Sequence, residues 1–95
     1  MLDEDGQRKL LWMLKTLEEL PRIPVKYFKH IEGSRGLFEL RLSWEGKAYR
    51  IFCFFDKDHK IVLCNGFLKK DQKTPKQEIV KAIKIKEEYD HENKK

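Results

Sequence analysis

The chain has 95 residues, of which 21 are Lys or Arg and 16 are Asp or Glu, for a net charge of +5. That length supports one hydrophobic core and leaves no room for a second. No apolar run approaches the roughly 20 residues a membrane span requires, and the acidic start Leu2-Asp3-Glu4-Asp5 is unlike a signal peptide.

Leu10, Met13, Leu14, Leu17 and Leu20 recur at spacings of three and four, which predicts an amphipathic helix over about residues 5–20. Asp3 or Asp5 suits its N-cap, and Pro21 stops it. Pro24 biases Ile23 toward extended backbone, residues 26–31 carry no decisive pattern, and Gly33 and Gly36 bracket a turn. From Leu37 the period changes to two, with Phe38, Leu40, Leu42 and Trp44 on one face and Leu37, Glu39, Arg41 and Ser43 on the other. Glu45-Gly46 reads as a hairpin turn. Residues 48–55 form a nearly continuous apolar run broken only by Arg50, the mark of a central strand covered on both faces. Residues 56–59 make a second turn and residues 60–65 a third strand, so the strands should form an antiparallel meander. Thr74-Pro75-Lys76-Gln77 has the pattern of a capping box with proline at the first helical position. Ile79, Ala82, Ile83 and Lys86, with Tyr89 beyond, follow at helical spacing, and a polar tail begins near residue 90. The expected architecture is α+β: a three-stranded sheet with helices on one side.

Cys53 and Cys64 lie within apolar runs without CxxC spacing, so they read as small buried hydrophobes of a reducing cytoplasm rather than a disulfide or zinc site. His30, His59 and His91 are scattered, and no glycine-rich phosphate loop or nucleophile elbow is present, so neither metal nor cofactor is expected. The chemistry-bearing feature is instead basic. Residues 22–86 hold 16 Lys and Arg against seven Asp and Glu. Such a surplus suits a polyanion, whose counterions are released on binding, though a lysine-rich solvated surface has the same composition. Lys69, Lys70, Lys73 and Lys76 fall within eight residues ahead of a helix start, where backbone N–H groups favour anions. Phe67 beside them could stack a base or close the core. Arg50 interrupts an apolar strand and must reach solvent or a partner, because burying it unpaired is costly. It either pairs with Glu39 across the sheet or faces a phosphate, which guanidinium binds in bidentate fashion. Arg41 carries the same choice.

Taken in order, Leu37-Phe38-Glu39-Leu40-Arg41, Ala48-Tyr49-Arg50-Ile51-Phe52, Val62-Leu63-Cys64-Asn65-Gly66-Phe67-Leu68-Lys69-Lys70 and Gln72-Lys73-Thr74-Pro75 resemble the HigB-like, phage-derived branch of the RelE/ParE toxins, over about residues 7–89. The resemblance implies a RelE-like fold: a three- to four-stranded antiparallel sheet packed against an N-terminal helix, with a C-terminal helix. It implies a toxin that acts in the cytoplasm on ribosome-bound mRNA. Its partners would be the ribosome and a helix-turn-helix antitoxin of the HigA type, whose complex with the toxin binds operator DNA. Arg41, Arg50, Lys69 and Lys70 match basic positions of the family's active site. Many relatives place a further strand before the first helix, whereas this chain starts at that helix, which would leave an exposed sheet edge. No His or Tyr stands where several relatives hold a general acid or base; Tyr89 and His91 are the late candidates.

The implied mechanism is metal-free attack of an mRNA 2′-hydroxyl on the adjacent phosphate, giving a cyclic phosphate, with positioning and electrostatics carrying the reaction. Arg50 would hold the scissile phosphate, and Lys69 or Lys70 would protonate the leaving oxygen or stabilise charge. Arg41 would hold a flanking phosphate; Lys73, Lys76 and Phe67 would contact RNA, with Glu39 as an alternative base. Two other classes share the scaffold. One is a ParE-like toxin that binds gyrase without nuclease chemistry. The other is a non-enzymatic module that binds only RNA or antitoxin.

Overall fold

A computed structural model of the chain describes residues 2–21, 26–70 and 75–93. The elements run α1 (Glu4–Glu19), β1 (Phe28–His30), β2 (Phe38–Trp44), β3 (Lys47–Phe55), β4 (Ile61–Leu68) and α2 (Lys76–Glu92). The strands form one antiparallel sheet in the order β1-β2-β3-β4. This is the expected α+β architecture, an N-terminal helix, a four-stranded meander and a C-terminal helix, consistent with a RelE-like fold.

The helices do not share one side of the sheet, as expected above; one covers each face. On the first face Leu17 of α1 packs with Phe28, Leu40, Ile51 and Cys53, supported by Leu10, Met13 and Leu14. On the second, Ala82 of α2 packs with Leu37, Phe52 and Phe54, supported by Ile79, Ile83 and Tyr89. The cause lies in β3: Phe52, Cys53 and Phe54 are consecutive and at most 1% exposed. Successive side chains of a strand point to opposite faces, so burying all three requires a cover on each.

Two elements are longer or more numerous than the sequence pattern suggested. Residues 28–30, which carried no decisive pattern, form a fourth strand, with Phe28, Lys29 and His30 opposite Leu40, Glu39 and Phe38. Its anchor is Phe28, whose ring stacks on Phe38 at 4.8 Å. The last strand continues to Leu68 instead of ending near residue 65, and the Lys69 amide extends the ladder by donating to the Ala48 carbonyl at 2.7 Å. A register shift between Ile51 and Cys53 accompanies the pairing of β3 with β4. At the β2–β3 turn Glu45 and Gly46 both have positive φ, 50° and 73°, the backbone of a type I′ hairpin, which suits glycine at the second position.

Both helix starts depart from a simple cap. Asp3 caps α1 by accepting from the Gly6 amide at 2.8 Å, and it also accepts from the Trp44 indole N–H at 3.0 Å. That carboxylate therefore ties the helix start to the end of β2. Gly6 is required there, since a Cβ would lie 2.9 Å from the Trp44 indole nitrogen. At α2, Pro75 occupies the N-cap and makes no side-chain cap, rather than standing at the first helical position; Thr74 lies outside the described residues. The helix runs on through Glu92, past the expected start of a polar tail, with Lys86 bonded to Asp90 at 2.8 Å.

The Asp3 cap is charge-sensitive. The Gly6 N–H foremost, and then a hydrogen bond with Glu45, hold the Asp3 carboxyl below its ordinary value of 3.8, while the same Asp3 contact pushes Glu45 above its ordinary 4.5. A depressed carboxyl stabilises above its unfolded pKa and loses that contribution as pH falls through the folded one; a raised carboxyl does the reverse. At neutral pH the two charges oppose each other. Glu45→Gln should therefore raise the thermal midpoint at pH 7. The gain should fade as the pH is lowered through the carboxylate range, where Glu45 is already neutral; a gain that persisted in acid would place its origin elsewhere.

Candidate active site

Strand alternation puts Glu39 and Arg41 on the α2 face of β2, and the β2–β3 register sets Arg41 directly opposite Arg50. Like charges facing each other across a ladder repel, and here a carboxylate stands between them. Glu39 Oε1 lies 3.2 Å from Arg41 Nε and 3.5 Å from Arg50 Nε. The side chains grade outward, 6% exposed for Glu39, 17% for Arg50 and 37% for Arg41. Arg50 also donates from Nη1 to the Tyr49 carbonyl at 3.0 Å, while its buried Nε makes no hydrogen bond, so its approach to Glu39 is ionic only. Arg50 thus faces this side of the sheet, with Glu39 as its mate: the cross-sheet pairing weighed above is the one that forms.

A cavity of about 460 Å³ opens beside Glu39 and Arg41, lined by these two and Lys69 with Lys29, His30 and Glu32; Arg50 does not line it. Lys69 reaches it because β4 continues to Leu68 and carries the following residue to the sheet. Lys29 and His30 were not singled out in the sequence. They arrive through β1, whose register sets Lys29 opposite Glu39; a strand of three residues leaves no period in the sequence to signal them. Helix α2 packs over Phe52 and Phe54 further along β3, so the arginine end of the face lies outside its core cluster.

Other candidate residues lie elsewhere. Phe67 is half-buried and packs on Phe52, with ring centroids 5.5 Å apart, so it closes the α2 layer. Lys70 and Lys76 are exposed and do not line this cavity, and Lys73 falls outside the described residues. Tyr89 packs edge-on against Phe54 at 5.2 Å, and His91 is exposed. Asn65 ties β4 to α2 by donating to the Glu78 carbonyl at 3.2 Å. The cysteines are free, and burial pushes the Cys53 thiol up to about 12 and the Cys64 thiol to about 11, which makes both poor nucleophiles and metal ligands. Among the described residues no helix is long and apolar enough to cross a membrane.

A carboxylate flanked by two guanidinium groups, with Lys69 beside it in the cavity, defines a small α+β protein with a cluster of charged side chains on its sheet. Over residues 1–87 the chain matches the family described as Phage derived protein Gp49-like (DUF891), and it belongs to that family, one associated with toxin–antitoxin modules. No curated protein matches the chain.

Glu39 keeps the two arginines together. Glu39→Gln leaves them facing each other without the charge, and should lower unfolding free energy by about 1–3 kcal/mol, the cost of orphaning partly buried charged partners. It should also tighten binding of inorganic phosphate, since an anion then replaces the lost carboxylate. Urea denaturation reads the first effect and calorimetric titration the second; weaker phosphate binding would mean the guanidinium groups do not reach one anion together.

Proposed function

We propose that this chain is the toxin of a type II toxin–antitoxin module, of the HigB-like kind within the RelE/ParE toxins, and that it cuts ribosome-bound mRNA in the cytoplasm. A helix-turn-helix antitoxin of the HigA type would neutralise it, and the pair would bind operator DNA. The observation that carries this reading is the joint placement of Glu39, Arg41, Arg50 and Lys69 on one sheet face. A base, two phosphate binders and a proton donor are what RNA strand cleavage by its own 2′-hydroxyl needs.

In this mechanism the Glu39 carboxylate takes the 2′-hydroxyl proton as the 2′-oxygen bonds to the adjacent phosphorus. Arg50 bears the charge that develops on the non-bridging oxygens, in a partly desolvated position where such an interaction is strongest. Arg41, the more exposed guanidinium, holds a flanking phosphate. The bond from phosphorus to the 5′-oxygen breaks, and the Lys69 ammonium delivers a proton to that oxygen. The products are a 2′,3′-cyclic phosphate and a 5′-hydroxyl. Phosphate and Glu39 compete for the same guanidinium groups, so substrate entry loosens the ion pair and frees the carboxylate to act as base.

Arg50→Ala should reduce mRNA cleavage by about 10²–10³-fold, the loss expected for one electrostatic stabiliser, and abolish growth arrest. Circular dichroism should remain that of a folded domain, because Arg41 still pairs with Glu39. Primer extension on mRNA after induction, set beside markers of DNA damage, separates this activity from gyrase inhibition. Full toxicity in a folded Arg50→Ala protein would remove the residue from the site, and DNA damage without cut mRNA would move the protein to the gyrase-binding class.

A further inference from the structure

A second and larger cavity, about 630 Å³, runs between α1 and the β2 side of the sheet, and Arg41 lines both it and the cavity over Glu39. Its walls carry Lys9, Lys26, Arg41 and Arg50, and no carboxylate lines it among the described residues. Two aromatic rings are presented there to solvent, Trp12 at 66% and Tyr27 at 46% exposure. Both lie outside the two core clusters. Trp12 sits beside the apolar stripe of α1 rather than within it. The Lys26 ammonium lies 5.5 Å from the centre of the Tyr27 ring, and Lys9 donates to the Ser43 carbonyl at 2.7 Å, at the cavity's sheet wall.

We propose that this groove binds single-stranded RNA flanking the cut, with bases stacked on Trp12 and Tyr27 and phosphates held by Lys9, Lys26 and Arg41. The inference rests on the reading above, and it adds where the strand lies and what grips it. Aromatic platforms interleaved with cations are how sequence-tolerant single-strand sites work: every base has a flat face, and the cations follow the backbone. The charged residues of its wall are all cations and complement a polyanion, and Arg41 and Arg50 join the groove to the proposed scissile-phosphate position. Lys26 beside Tyr27 would pair a phosphate while the ring takes the adjoining base. An acidic amphipathic peptide is the competing occupant. It would use the same cations, but it needs no stacking geometry.

The test uses a 5′-fluorescein decamer of 2′-O-methyluridine, which cannot be cut because its 2′-oxygen is blocked, so binding is read apart from chemistry. Fluorescence anisotropy should show Trp12→Ala and Tyr27→Ala each weakening binding by about five- to 150-fold, the loss brought by removing one stacking ring. Trp12→Phe and Tyr27→Phe should retain most of the affinity, and Lys26→Ala should reduce the slope of log affinity against log salt by about one. Both rings are exposed, so the variants should melt as the parent does. Alanine variants that bind like the parent would overturn the groove, as would a parent protein that does not bind the oligomer. Dependence on Trp12 for a glutamate-rich helical peptide but not for RNA would instead assign the groove to a protein partner. Loss of cleavage in Arg50→Ala alongside unchanged RNA binding in the Trp12 and Tyr27 variants would leave the nuclease standing and remove only the groove.

Discussion

The fold depends on β3 being buried on both sides. Phe52, Cys53 and Phe54 are consecutive and almost entirely excluded from water, and a pleated strand cannot hide three consecutive side chains behind one layer. One helix must cover the Cys53 face and another the Phe52 and Phe54 face. The helices themselves are ordinary amphipathic segments. Their separation to opposite faces is imposed by the strand between them. A domain of this size gains much of its stability from a few large side chains, and here Phe52 and Phe54 of β3, with Leu37, Leu40 and Leu42, are the largest that are fully buried.

Arg50 stands two residues before this run on the same strand, on the α2 face, and it marks where the apolar layer ends. An arginine 17% exposed needs a counter-charge. Glu39 provides it, and in doing so also restrains Arg41, which the register sets opposite Arg50. A carboxylate shared by two guanidinium groups is compact and oriented, and guanidinium groups are also suited to bidentate binding of phosphate. The arrangement that satisfies the resting sheet is also the one on which the proposed phosphodiester chemistry rests.

The two cavities meet at Arg41, the outermost residue of the cluster. One is polar and holds the carboxylate and Lys69; the other is more apolar and holds exposed aromatic rings. Their union at a cation gives the surface a direction, from exposed aromatic rings to clustered charges. Family membership alone would not reveal that division, because it follows from where α1 crosses the sheet.

Much was legible from the chain. The stripe from Leu10 to Leu17 marked α1, the alternation from Phe38 to Trp44 marked β2, and the unbroken apolar run after Arg50 marked a central strand, because each reflects a local period that burial enforces. Glu39 was nameable as a mate for Arg50, since alternation places it on the face with Arg41. Strand β1 was not legible: three residues are too short to show a period, and its pairing is secured by Phe28 stacking on a ring ten residues away. The end of β4 was also hidden, because Asn65-Gly66 looks like a turn and becomes strand only when β3 offers a ladder. The sequence by itself determined the number of charges, the amphipathic segments and the doubly apolar strand. Tertiary structure alone decided which side each helix took, that Arg50 and Arg41 share one carboxylate, and that Lys69, Lys29 and His30 line one cavity beside it, because those relations are set by register and packing between segments distant in the chain.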